Sequence, residues 1–132
     1  MNTFFELHIM GGIQFMSVLF IILLSVIVLS VIGFMQAYAR PIPNLTRMTN
    51  IVLTIRFLGG FAAVWGILGQ GIGIYEACIA IQEVQDVSPA LLAGGFRVSM
   101  ITALYGLIIF LVSRIFWYVL KSRLNTLSLK KG

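Results

Sequence analysis

The chain has 132 residues, 60% hydrophobic and only 10% charged, with a formal net charge of +5 and a mean hydropathy of +1.05. Ordinary soluble domains carry about a quarter charged residues, so this composition argues against a water-solvated globule and for a bilayer as the solvent. Cys78 and His8 are the sole cysteine and histidine, which speaks against an internal disulfide, a metal site and histidine-based catalysis; no catalytic residue and no cofactor is expected.

Taken in chain order, the first predicted element is Ile13 to Met35, an apolar run without a charge and longer than the roughly 20 residues a spanning helix needs. Ala37-Tyr38-Ala39 resembles a signal cleavage site, but the apolar core is too long and no Lys or Arg precedes it. This run is therefore expected to remain as a helix. The stretch 40–56 opens with Arg40-Pro41-Ile42-Pro43, where proline cannot continue a helical ladder, and reads as a short loop. Phe57 to Ala80 is the second span, rich in glycine. Asp86-Val87-Ser88-Pro89 then punctuates the chain, with Ser88 suited to cap a helix that begins at Pro89. The third span runs from about Val98 to Leu120 and is interrupted only by Arg114. Residues 121–132 form a basic tail. The expected fold is a single all-α membrane domain over 1–132 with spans near 13–35, 57–80 and 98–120.

The basic residues orient these spans. Arg40, Arg47 and Arg56 lie between spans one and two, while Lys121, Arg123, Lys130 and Lys131 lie in the tail. The N-terminal segment has neither Lys nor Arg, and the second connection sets Arg97 against Glu76, Glu83 and Asp86. Positive charge favours the cytoplasmic side, so the N-terminus is expected outside, with loop 40–56 and the tail inside. The net charge thus marks topology, and no nucleic-acid partner is expected.

Spans two and three carry an unusual face. Gly59, Ala63, Gly66, Gln70 and Gly73 recur at helical spacing on the second, and Gly95, Ser99, Thr102, Gly106 and Ser113 on the third. Span one shows no such stripe. Two readings stay open: close packing of membrane helices, or identical subunits arranging these faces around a passage or a guest helix. Both faces together exceed what a three-helix monomer is expected to satisfy, so a ring follows, and Gly66→Leu should block the approach of a guest. Gly69-Gln70-Gly71-Ile72-Gly73 lacks the Lys-Ser or Lys-Thr of a phosphate loop. No carboxylate falls mid-membrane, as a small drug antiporter would require. Glu76, Glu83 and Asp86 form either a solvated loop or an acidic outer vestibule that concentrates cations. Arg97 either snorkels to the interface or, by a slight preference, pairs with Glu83 or Asp86.

Three separated stretches also carry a family likeness. Gly59-Gly60-Phe61-Ala62-Ala63-Val64-Trp65-Gly66-Ile67 is similar to the G-L-x-G-T-V-W-G-I pattern of a second helix. Val87-Ser88-Pro89-Ala90-Leu91-Leu92, followed by Thr102-Ala103-Leu104-Tyr105-Gly106-Leu107, is similar to the V-x-P-x-(I/L) opening and T-(T/A)-L-Y-G-L core of a third. Met10-Gly11-Gly12-Ile13-Gln14-Phe15-Met16 resembles the opening of a first. Their order and the outside N-terminus resemble the MotA/TolQ/ExbB family of ion-driven stators. The resemblance implies a pentamer in a bacterial inner membrane, with helices two and three lining a passage and helix one facing lipid. It also implies an ExbD/TolR/MotB-like single-span partner bearing a membrane aspartate, through which protons move to turn the ring. The implied pore-lining candidates are Thr102, Ala63, Ala103, Gly66, Gln70, Ser99, Gly106 and Tyr105. Ala63 and Ala103 stand where relatives place threonines of the ion route, Val98 replaces a glutamate, and the large cytoplasmic insertion shrinks to a short loop. These departures support the alternative of a non-conducting pentameric scaffold. So few oxygens on the route favour a proton over sodium as the coupling ion.

Overall fold

The computed structural model describes residues 13–38, 44–84 and 88–131. They form three helices: α1 (Ile13–Tyr38), α2 (Leu45–Val84) and α3 (Pro89–Lys131). Each contains a stretch long and apolar enough to cross a membrane, and the chain is a multi-pass membrane protein. The Met10-Gly11-Gly12 opening, Arg40 to Pro43, and Asp86 with Val87 lie outside the described residues.

The helix starts follow local chemistry. Asn44 accepts the first bond of α2, with its carbonyl 3.1 Å from the Met48 amide, and Ser88 does the same for Leu92 at 3.4 Å. Pro89 sits at the first helical position, where its missing N–H costs nothing. The Ser88 boundary expected from sequence is thus in place.

The connection at 40–56 is corrected. Helix α2 begins at Leu45, and Met48, Ile51, Val52 and Ile55 are all in the core. Their positions at i, i+3, i+4 and i+7 put them on one face of a helix. Thr46, Arg47, Thr49, Asn50 and Thr54 occupy the outer face, and the hydroxyls of Thr49 and Thr54 donate back to the carbonyls of Leu45 and Asn50. The tail is likewise helical to Lys131. At about 1.5 Å per residue, α2 and α3 run about 60 Å or more, roughly twice the hydrocarbon thickness.

The helices run up, down and up. At one end the Arg123 guanidinium donates to the Tyr38 hydroxyl at 3.0 Å, and Leu120 and Ile51 close over Gly33. At the other end Phe15 of α1 reaches Gly69 of α2. One side of α1 is buried through Met16, Leu19, Ile22, Val26 and Ser30, and the opposite side leaves Ile21, Leu24, Val28, Val31 and Met35 exposed. That open face suits lipid. The buried Ser30 hydroxyl is satisfied within its own helix by the Val26 carbonyl at 2.6 Å. The most extensive contact by far is between α2 and α3.

The basic residues of α2 and most of those of α3 lie at one end: Arg47 and Arg56 on α2, and Arg114, Lys121, Arg123 and Lys130 on α3. Glu76, Glu83 and Arg97 lie towards the other end. Arg97 and Glu83 are both exposed and form no ion pair with each other among the described residues. Cys78, also exposed, provides a test of orientation. An impermeant maleimide applied to intact spheroplasts should label Cys78, and should fail to label a cysteine introduced by Asn44→Cys in a Cys78→Ser background. The reverse pattern would invert the topology.

Candidate functional site

The small-residue faces of α2 and α3 meet each other. Gly59 lies opposite Ser113, Gly66 opposite Gly106, and Gly73 opposite Ser99, each step moving seven residues along α2 and seven back along α3. A repeat of seven is the spacing that keeps one seam facing a partner along a pair of helices. Here the repeated positions are almost bare, and at the Gly66–Gly106 step backbone approaches backbone. A Cβ built on Gly106 would lie 2.5 Å from the Ala62 carbonyl oxygen and 3.1 Å from the Gly66 Cα. One on Gly66 would lie 2.9 Å from the Thr102 carbonyl oxygen. The expectation that a three-helix monomer cannot satisfy both faces is therefore corrected. Each face is the other's partner, because the antiparallel hairpin brings both small-residue lines into one register.

This seam holds most of the sequence candidates. Ser99, Thr102 and Ala103 are buried there, as are Gly66 and Gly106. Ser99 and Ser113 turn their hydroxyls to the carbonyls of Phe96 and Phe110, at 2.9 and 2.8 Å, which removes the cost of burying them. The Ala103 Cα sits 3.4 Å from where a Gly66 Cβ would stand, and Ala63 lies one turn along from Gly66 on α2. Ala63 and Gln70 are half-buried, seven residues apart on one helix line. Tyr105 falls with Leu58 and Trp65 among the residues that back the core shared with α1. Glu76 and Glu83 are exposed, and Asp86 lies outside the described residues. Among the described residues no three His, Cys, Asp or Glu side chains gather.

On α2 an aromatic ladder runs beside the seam. Phe57, Phe61 and Trp65 stack at four-residue intervals with centroids 6.3 and 5.7 Å apart, and Phe15 of α1 meets Trp65 at 5.7 Å. The Trp65 indole N–H is buried and has no hydrogen-bond partner among the described residues.

A second cluster at the basic end escaped the sequence reading. Arg56, Arg114 and Lys121 surround the Trp117 ring at 5.3, 5.8 and 4.7 Å from its centroid, and Arg114 also lies 4.9 Å from the Phe110 centroid. Arg114, Trp117 and Lys121 share one face of α3 by spacing alone, a signal present in the sequence. The arrival of Arg56 depends on the α2–α3 register.

A seam of this kind, on two helices that cross the membrane, accords with a match to a family model. The model of the MotA/TolQ/ExbB proton channel family matches residues 34–131.

The chain belongs to the MotA/TolQ/ExbB proton channel family.

Neither curated proteins nor solved structures give a match. The match begins within α1 and takes in all of α2 and α3, so the MotA/TolQ/ExbB likeness resides chiefly in the glycine-seamed hairpin.

Proposed function

We propose that the chain is the channel-forming stator subunit of a proton-driven motor in a bacterial inner membrane, working as a pentamer around a single-span partner with a membrane aspartate. The observation that carries this reading is the family match over both helices of the hairpin. The hairpin also suits the task mechanically. A stave that transmits force must not shear along its length, and small residues meeting at every seventh position, with backbone contact at Gly66 and Gly106, resist sliding better than long flexible side chains would. In this reading α1 turns its bare apolar side to lipid. Ala63 and Gln70, which keep part of their surface open, border the passage. Ala103 and Thr102 stand just behind them in the seam. Glu76, Glu83 and Asp86 gather protons at the outer mouth, and the proton waits on the partner's carboxylate. Proton coupling fits a route with so few oxygen ligands, because a bare cation in a low-dielectric passage is very costly.

The test is proton flux in liposomes that contain the chain together with a candidate single-span partner encoded beside it. Flux under an imposed gradient, lost when the partner's aspartate becomes asparagine, supports the motor. A detergent-corrected mass of five copies of this chain supports the ring, and one or two copies would refute it. Thr102→Val keeps the shape and removes the hydroxyl, and is expected to slow flux severalfold with the assembly intact. Unchanged flux would take Thr102 out of the route. The alanines at 63 and 103 favour one second reading, a non-conducting scaffold of the same fold. An intact complex without any flux would establish that reading instead.

A further inference from the structure

At the basic end an open groove of about 550 Å³ runs along α2 and reaches α3, lined by Leu53, Arg56, Phe57, Gly60, Phe61, Val64 and Arg114. Its walls are apolar and aromatic, with Phe57 and Phe61 exposed. Gly60 leaves open space where a side chain would stand. Arg56 and Arg114 both border it, and both lie within 6 Å of the Trp117 ring, which Lys121 also approaches. Three cations are thus drawn together around one indole. Cation–π attraction offsets only part of their mutual repulsion.

We infer that this groove binds an anionic phospholipid, its phosphate held between Arg56 and Arg114 and an acyl chain laid along Gly60, Phe61 and Val64. The charges decide the occupant. The chain has four acidic residues, Glu6, Glu76, Glu83 and Asp86, and none lies at the basic end among the described residues. A second copy in the same orientation offers no acidic group at this level among the described residues, so it could not neutralise the cluster. An anionic headgroup does. Guanidinium groups suit the phosphate, since their planar fork donates two parallel hydrogen bonds. The order of features also matches a lipid, with charge at the end of the span and apolar wall towards its middle. Basic pockets between spanning helices are a recurrent way of holding lipid headgroups. The positive-inside tendency accounts for basic residues at this end in general. It does not account for two of them bordering one aromatic-walled groove, one inside the third apolar run.

The experiment reads Trp117 fluorescence in a Trp65→Phe background, with the full chain in phosphatidylcholine vesicles. The probes are phosphatidylglycerol and phosphatidylcholine, each brominated near the carbonyl end of one acyl chain and added as a minor component. Brominated phosphatidylglycerol is expected to quench at a much lower mole fraction, by about thirtyfold, the order expected for two basic groups meeting an anionic lipid. Arg56→Gln with Arg114→Gln should abolish this preference, and Arg56→Lys with Arg114→Lys should keep a reduced one. Arg47→Gln with Lys130→Gln removes the same charge from exposed sites outside the groove and should leave it intact. Equal quenching by the two lipids would overturn the inference. So would a preference that survives the double glutamine change, or one that the outer pair weakens equally. Displacement by soluble glycerol phosphate would mean that a free anion is the ligand, and absence of quenching by either lipid would mean that protein covers the groove. Both results would also refute the lipid site.

Discussion

Gly106→Leu is expected to prevent α2 and α3 from pairing, and even Gly106→Ala should cost the fold about 1–3 kcal/mol, the range for overpacking a tight contact. The added Cβ would meet the Ala62 carbonyl oxygen at 2.5 Å, and backbone cannot rotate aside as a side chain can. Gly66→Leu should act in the same way, against the Thr102 carbonyl oxygen and the Gly106 Cα. Its target is the chain's own hairpin rather than a guest helix, which corrects the effect expected from sequence. Gly71→Ala and Gly94→Ala are the controls. An added Cβ meets nothing within 4 Å at either position, so both variants should be unchanged or slightly more stable, since alanine favours a helix over glycine. Unfolding in mixed micelles of increasing SDS content, followed by helix content, checks all five variants. Gly106→Leu unfolding at the wild-type midpoint would mean that the seam does not hold the helices together.

Ile55→Ala and Met48→Ala should each destabilise the protein by about 2–5 kcal/mol, the usual range for truncating a large buried side chain. Both residues are fully buried, and Ile55 belongs to the same core cluster as Ile51, Val52 and Leu120. A solvated loop at 45–56 would instead tolerate these changes within about 0.5 kcal/mol. The same unfolding assay separates the two outcomes. Hydrogen exchange offers an independent measure, because the amides of 45–56 should be protected as strongly as those of the spans. Wild-type stability in both variants would return this segment to a loop.

The fold was legible in the sequence wherever one long-range pattern dominated. Uninterrupted apolar runs can be solvated only by lipid or protein, so three spans follow from counting. Ser88-Pro89 marks a helix start by bonds made within a few residues. The motif around Gly59 to Ile67 was also legible, and the family match bears out the likeness. The start of α2 was harder to see. Met48, Ile51, Val52 and Ile55 carry a helical period, but the Thr, Asn and Arg residues between them lower the local hydropathy, which is the signature of one buried side and not of a loop.

By itself the sequence determined that this protein lives in a membrane, carries three runs long and apolar enough to cross it, and gathers most of its positive charge at one end. Those properties depend on composition and order along the chain, and each residue contributes independently of its distant neighbours. Only the tertiary structure decided what the bare faces touch. A glycine stripe states that something approaches closely, yet it carries no address, since absent side chains fit any partner equally well. The address comes from register: the antiparallel turn sets Gly59, Gly66 and Gly73 against Ser113, Gly106 and Ser99. The same register carries Arg56 to Trp117 and Arg114, a juxtaposition of residues about sixty positions apart that no local spacing could reveal.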